Sequence, residues 1–143
     1  MYIQMKRMLV GILCAFSFLQ SSAQLRQQYI LKDNWEFRSD KSGADAIWEK
    51  VTVPHCWNAE DGITADYYRG TTQYRYHLSI LPEMLKKRVF LRFEAVSQVA
   101  DIFINGIKVG THKGAFNAFC FEITSLLKKG DNLLEVKVSN SPD

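Results

Sequence analysis

The sequence predicts an all-β domain of the sandwich type, on three observations. Several short segments alternate apolar and polar side chains, which is the period-two pattern of half-buried strands. Turn-forming residues separate these segments at intervals of about 8–12 positions, as in folds built from many short strands. Helical periodicity is weak, since only 82–86 and 124–129 are candidates for about one turn each. Helix is therefore expected to be a minor component.

The strands follow from this alternation in chain order. Alternate residues of 73–80 are apolar, and 89–94 and 132–140 repeat the pattern. Residues 100–104 are almost continuously apolar apart from Asp101, as expected of a strand that is covered on both faces. The complete set of predicted strands is 35–38, 48–53, 73–80, 89–94, 100–104, 119–123 and 132–140.

Asn105 and Gly106 form the clearest turn signal. They separate VADIFI from IKVG, and both residue types tolerate the positive φ that a two-residue type I′ turn requires. The pattern predicts a β-hairpin, followed by a polar connection over 112–118.

A second polar connection covers 58–72. Loops of about 15 residues without periodicity are uncommon in compact domains and are usually functional or disordered. Tyr67, Tyr68 and Arg69 argue against disorder here. We expect an ordered loop.

The first 23 residues have the organisation of a secretory signal peptide. A basic start, MYIQMKRM, precedes the apolar run LVGILCAFSFL and a plausible cleavage site after Ala23. The run is about half the roughly 20 residues that span a bilayer, so a transmembrane anchor is the weaker interpretation. Lipidation of Cys14 is also disfavoured, because the apolar run continues past it. The prediction is export to the periplasm or the extracellular space, with 24–143 as one domain.

Charge and cysteine usage limit the partners. The 18 basic and 15 acidic residues come close to balance once Lys6 and Arg7 leave with the signal peptide. Nucleic-acid binders usually carry a basic patch and a high pI, so no nucleic-acid partner is expected.

Cys56 and Cys120 are either bridged in an oxidising compartment or present as small buried thiols. No pair of residues has metal-site spacing, and neither a metal nor another cofactor is expected.

Short motifs occur in a fixed order over 33–140. They are DNWEF at 33–37, VPHCWN at 53–58, YRG at 68–70, FEAV at 93–96, VAD at 99–101, the NG turn and HKG at 112–114. Together they resemble the N-terminal sugar-binding domain of glycoside hydrolase family 2, the group that contains β-galactosidases, β-glucuronidases and β-mannosidases. Within this family the chain resembles the β-galactosidases. The resemblance implies a jelly-roll β-sandwich of the galactose-binding-domain type.

The chain also departs from the family pattern. Ala115 and Phe116 stand where many relatives have Gly and Tyr, so that a hydroxyl and some backbone freedom are lost. In relatives the domain continues past SNSPD into a further strand, an immunoglobulin-like domain and a catalytic TIM barrel. The resemblance thus implies that 24–143 is incomplete at its C-terminus and that its partner is the missing catalytic domain of the same polypeptide.

No catalytic residues are expected in this chain. A retaining glycosidase needs two carboxyl groups about 5–5.5 Å apart, and the resemblance implies that both lie on the absent barrel. His55 and Cys56 are neighbours on an extended segment, so their side chains are expected to point to opposite faces rather than to form a dyad. The acids that could supply a catalytic pair within this chain are Glu60, Asp61, Asp66, Glu94 and Asp101. Catalysis by any two of them is not expected.

Sugar contact fits the residue types better. Pyranose rings present apolar C–H faces to aromatic side chains and hydroxyls to planar polar groups. The predicted loop contacts to a β-galactoside or related glycan are Tyr67, Tyr68, Arg69, His112 and Lys113. Trp57 and Asn58 have suitable chemistry too, although core packing is the simpler role for Trp57.

Three functions follow from these residues. The first is the carbohydrate-binding N-terminal domain of an exported family 2 glycoside hydrolase. The alternatives are an autonomous carbohydrate-binding module without hydrolase activity and a structural β-sandwich whose aromatic residues are all core. For Arg69, an ion pair within its own loop remains the alternative to sugar contact.

Overall fold

Eight β-strands and three short 3-10 helices make up the residues that the computed structural model describes, which are 26–43, 46–59 and 67–141. The strands are β1 (Trp35–Ser39), β2 (Glu49–Val51), β3 (Thr71–Ile80), β4 (Phe90–Phe93), β5 (Val99–Ile104), β6 (Ile107–Lys113), β7 (Phe119–Glu122) and β8 (Gly130–Ser139). The 3-10 helices are Asp40–Ser42, Met84–Lys86 and Thr124–Leu126. This part of the chain contains no α-helix, and the predicted all-β class is confirmed.

Two antiparallel sheets share one hydrophobic core. Six strands form the larger sheet in the order β2-β1-β3-β8-β5-β6, and β4 pairs with β7 in the smaller sheet. Ile102 and Val136 of the larger sheet and Leu91 of the smaller sheet belong to the same buried cluster. The arrangement is a two-layer β-sandwich.

A row of buried side chains crosses four strands of the larger sheet. The register aligns Phe37 with Tyr74, Tyr74 with Val136, and Val136 with Ile102. All four side chains are buried, because alternate residues of neighbouring antiparallel strands share a face. The period-two pattern in the sequence therefore identified the inner face of this sheet.

The predicted turn at Asn105 and Gly106 joins β5 to β6. Their φ values of 51° and 79° lie in the left-handed region that a type I′ turn requires. The Asn105 side chain also ties the hairpin to its surroundings, since its Oδ1 accepts a hydrogen bond from Leu133 N at 3.0 Å and its Nδ2 donates to Leu126 O at 3.1 Å. The hairpin prediction is confirmed.

All seven predicted strands occur, and their ends differ from the prediction by no more than two residues. The prediction that 100–104 is covered on both faces is wrong. Ala100, Ile102 and Ile104 are fully buried, whereas Asp101 and Phe103 on the outer face are only half-buried. Phe103 looked like core in the sequence, yet its ring lies beneath Lys137 Nζ at 5.1 Å, a cation–π contact on the outer face.

Both interpretations of the cysteines are corrected by the structure. Cys56 and Cys120 are exposed and unbridged. Cys120 lies on β7 and pairs with Arg92 of β4, on the side of the smaller sheet that faces away from the core. The strand alternation accounts for this exposure, because Phe119 and Phe121 occupy the inward positions on either side.

Several predictions fall on residues outside the described ranges. These are the signal peptide at 1–23 and the acids Glu60, Asp61 and Asp66. Across the described ranges, no helix has the length and apolar character needed to cross a bilayer.

Candidate functional site

The strand register gathers four chain segments at one end of the larger sheet. Thr71 pairs with Ser139, Ser139 pairs with Val99, and Val99 pairs with Lys113. The residues just before β3 and β5 and just after β6 and β8 therefore meet at this end. Backbone hydrogen bonds extend the pairing beyond the strands, since Gln98 N donates to Ser139 O at 3.1 Å and Gly114 N donates to Gln98 O at 2.8 Å.

A cleft of about 330 Å³ opens at this end, and it is lined by Tyr67, Arg69, Gln98 and Asn140. Two of these residues, Tyr67 and Arg69, were predicted from the sequence. Gln98 and Asn140 were not, because they come from chain segments far away in sequence and meet Arg69 only through the register of β3, β8 and β5.

Asn140 holds the rim of the cleft in shape. Its Oδ1 accepts a hydrogen bond from Gly70 N at 2.8 Å, and its Nδ2 donates to Tyr68 O at 3.2 Å. Its backbone N–H donates to Gly70 O at 3.1 Å. Asn58, itself buried, donates from Nδ2 to the same Tyr68 carbonyl at 3.1 Å. The segment that carries Tyr67 and Arg69 is thus held by hydrogen bonds from Asn58 and Asn140 to its backbone.

Tyr68 belongs to this scaffold. Its hydroxyl donates to Thr71 O at 3.2 Å. The phenol lies against Gly70 so closely that a Cβ there would be 2.4 Å from the Tyr68 hydroxyl oxygen. The glycine of the YRG motif is explained by this approach, and Tyr68 supports the rim rather than lining the cleft.

The side chains of Tyr67, Arg69 and Gln98 are exposed, and Tyr67 retains 61% of its surface. In the described part of the chain, none of the three has a side-chain hydrogen bond or ion pair. They therefore offer a phenol, a guanidinium group and a carboxamide to a ligand, which together provide an aromatic face and planar polar donors.

His112 and Lys113 lie at the end of β6 and not in a loop, which corrects the predicted start of the polar connection. His112 pairs with Ala100 and faces inward. Its ring stacks on Phe119 with centroids 3.9 Å apart, and its buried Nε2 has no hydrogen-bond partner in the described residues. Lys113 is exposed beside Gln98 at the edge of the sheet. Of the pair, only Lys113 is accessible to a ligand.

Phe116 is a further residue at this end that the sequence prediction did not include. It lies two positions after Gly114, which bonds to Gln98, and 92% of its surface is exposed. In the sequence, Phe116 is an aromatic residue in a polar loop, which could have indicated a ligand contact. The sequence analysis considered only the hydroxyl group that Phe lacks relative to Tyr. Trp57, in contrast, is half-buried and packs against the core.

Glu94 and Asp101, the two candidate acids that the structure describes, are each paired with a cation. Arg92 donates to Glu94 at 2.9 Å and holds the pKa of that carboxyl below its ordinary value. Asp101 accepts from Lys108 and Thr111, which lower its pKa in the same way. A general acid needs a raised pKa, so neither carboxyl suits that role.

The geometry gives no support to a His55–Cys56 dyad, which the sequence analysis did not expect. His55 Nδ1 is 2.9 Å from the Tyr74 hydroxyl, and burial lowers the pKa of this imidazole. Among the described residues, no group of three or more His, Cys, Asp or Glu side chains is placed to hold a metal ion.

Comparison with known proteins identifies the family. Residues 35–143 match the family model described as glycosyl hydrolase 2 galactose-binding domain-like. The chain therefore belongs to glycosyl hydrolase family 2, and it represents the galactose-binding-like N-terminal domain of that family.

The relatives include β-glucuronidases and β-galactosidases. The chain is 44% identical over 119 residues to a β-glucuronidase of Bacteroides fragilis, a match that covers 80% of this chain and 17% of the relative. It is 33% identical over 115 residues to a β-galactosidase of Thermoanaerobacter pseudethanolicus, covering 77% and 15%. The solved β-glucuronidase of Bacteroides uniformis superimposes with a TM-score of 0.73 at 34% identity, covering 82% and 15%. The chain thus spans less than a fifth of the length of these relatives.

Proposed function

We propose that this chain is the carbohydrate-binding N-terminal domain of an exported family 2 glycoside hydrolase and that this domain is a jelly roll. The observation that carries the proposal is the coincidence of the family match with a cleft that offers a phenol, a guanidinium group and a carboxamide. Such side chains suit a pyranose ring, because the ring has apolar C–H faces and a rim of hydroxyl groups. No hydrolysis is assigned to the described residues, since Glu94 and Asp101, the two described acids considered for catalysis, are paired with cations.

The hydrolytic activity is assigned to the rest of the polypeptide. Relatives named β-glucuronidase and β-galactosidase are several times longer than the part that this chain matches. In the proposal, the complete protein hydrolyses the O-glycosidic bonds of β-glucuronides or β-galactosides, and the catalytic domain is the covalent partner of this one. Residues 1–23 direct export to the periplasm or the extracellular space, with 24–143 as the mature part of the domain.

A set of exposed apolar side chains supports contact with a neighbouring domain. Tyr29 and Ile30 precede β1, and Leu81 and Leu85 follow β3. The two segments run close together, because Lys87 Nζ donates to Gln27 Oε1 at 3.1 Å. Exposed apolar side chains at one end of a domain are typical of interaction surfaces.

The test is an activity assay on the complete reading frame, expressed in the source cells, with chromogenic β-glucuronide and β-galactoside substrates. The proposal expects hydrolysis of at least one substrate by the complete protein and none by residues 24–143 alone. A complete protein that hydrolyses neither substrate but binds glycans would favour the autonomous carbohydrate-binding module. The exposed Tyr67 and Phe116 rings are the observation that favours this second candidate.

A further inference from the structure

We propose that the cleft formed by Tyr67, Arg69, Gln98 and Asn140 binds the carboxylate of an acidic sugar, with Arg69 as the group that recognises the charge. The inference rests on the proposed carbohydrate binding and adds the chemical class of the ligand.

Arg69 differs from most other described arginines in having no partner. Four arginines donate to a carboxylate or carboxamide side chain, namely Arg38, Arg75, Arg88 and Arg92. Arg69 has no such partner among the described residues, although it lines a cleft whose rim is fixed by Asn140 and Gly70. An arginine that is held in a cleft and left unpaired is available to a ligand.

The charge of the cleft favours an anion. None of the four lining residues that the structure describes is acidic, and Arg69 contributes a positive charge among them. Lys113 adds a second exposed cation next to Gln98, because it pairs with Val99 in the sheet. A cleft lined by charge of one sign attracts ligands of the other sign.

The guanidinium group suits a carboxylate in particular. It is planar and presents N–H donors in a fixed fork, which matches the two oxygens of a carboxylate. The other open groups suit the remainder of a uronic acid, since the Tyr67 ring is available to a C–H face and the Gln98 carboxamide to hydroxyl groups. Asn140 is committed to Gly70 and Tyr68 and acts as the support.

The test compares two ligands that differ only at C6, methyl β-D-glucuronide with a carboxylate and methyl β-D-glucoside with a hydroxymethyl group. Each is titrated into the 143-residue chain while the backbone amide signals of Gly70, Gln98 and Val99 are followed by NMR. Charge-assisted hydrogen bonds favour the glucuronide by about tenfold or more over the neutral sugar. Arg69→Gln should reduce glucuronide affinity much more than glucoside affinity, so that the preference is lost, and Arg69→Lys should retain part of it. The matched control is Lys129→Gln, which removes an exposed cation beside the opposite end of β8 and should change neither affinity.

The remaining outcomes separate the two proposals. Equal affinity for both sugars would overturn the acidic preference while carbohydrate binding stood. A glucuronide preference that survives Arg69→Gln would overturn the role of Arg69, as expected if this residue pairs within its own loop. Amide signals that respond to neither sugar would overturn both the acidic preference and carbohydrate binding at this cleft.

Discussion

Gly110 and Phe121 meet where the two sheets pack together. A Cβ on residue 110 would lie 2.5 Å from Cε1 of the Phe121 ring, closer than such atoms approach in proteins. Gly110 pairs with the buried Ile102 of β5, and Phe121 lies on β7 of the smaller sheet. The bare glycine therefore makes room for an aromatic ring from the opposite sheet.

The Gly110→Ala variant is expected to be less stable by about 1–3 kcal/mol, because the added methyl group overpacks the interface. Chemical denaturation measures the change. Adding Phe121→Leu should recover part of the loss, so a double-mutant cycle should give a clear coupling energy. If Gly110→Ala were as stable as the parent, the packing described between the sheets would be wrong at this point.

Asn132 is fully buried and uses its whole hydrogen-bonding capacity. Its Oδ1 accepts from Lys128 N and Asn105 Nδ2, both at 2.9 Å, and its Nδ2 donates to Lys128 O at 2.7 Å and Gly130 O at 3.0 Å. Asn132→Asp retains the shape but removes both donors, and the expected cost is about 1–3 kcal/mol or more. Asn117→Asp, at an exposed asparagine, should be nearly neutral in the same denaturation experiment.

His55 predicts a pH dependence of stability. Burial lowers the pKa of its imidazole from the ordinary value of 6.5, so the unfolded chain binds the proton more readily than the folded one. The His55 contribution is therefore fully present above about pH 6.5 and is lost as the pH falls through the lower, folded-state pKa. The free energy of unfolding, measured by chemical denaturation, should change less between pH 7.5 and pH 5.5 for His55→Gln than for the parent. His77→Gln, which removes an exposed imidazole, should keep the part of the difference that is due to His55.

The exposed thiols of Cys56 and Cys120 should react in the folded protein. A thiol-specific reagent is expected to modify both without denaturant, as measured by mass spectrometry on residues 24–143. Cys56→Ser and Cys120→Ser should each remove one adduct. A protein that reacts at neither position until a reductant is added would instead contain the disulfide that this structure lacks.

Phe116 tests the contribution of aromatic side chains to ligand binding. Because 92% of its surface is exposed, Phe116→Ala should leave the melting temperature unchanged. If the ring contacts the sugar, affinity should fall by between about two- and tenfold. Phe90→Ala is the control, since this half-exposed phenylalanine lies on the smaller sheet and should not affect binding.

Local features of the sequence predicted most of the fold. The Asn105-Gly106 turn was predictable because two adjacent residues determine it, and the strand positions followed from alternation along each strand. The covering of β5 was mispredicted, because the apolar Phe103 is placed on the outer face by the register of the sheet and not by its hydrophobicity.

The site was only partly predictable for the same reason. Tyr67 and Arg69 were found from a local motif, whereas Asn140 reaches Gly70 across 70 positions of sequence. Tyr68 and His112 have suitable chemistry for sugar contact, yet the structure directs them to the rim scaffold and to Phe119. Such assignments depend on strand pairing, which residue types alone do not reveal.

The most direct test of the account is the size of the native product, measured with an antibody against residues 24–143 on the envelope and medium of the source cells. The account predicts a band several times larger than a 143-residue protein, in line with the length of the relatives, and β-glycosidase activity that the antibody removes from the extract. A band of the size of 24–143 alone, with no such activity, would contradict it.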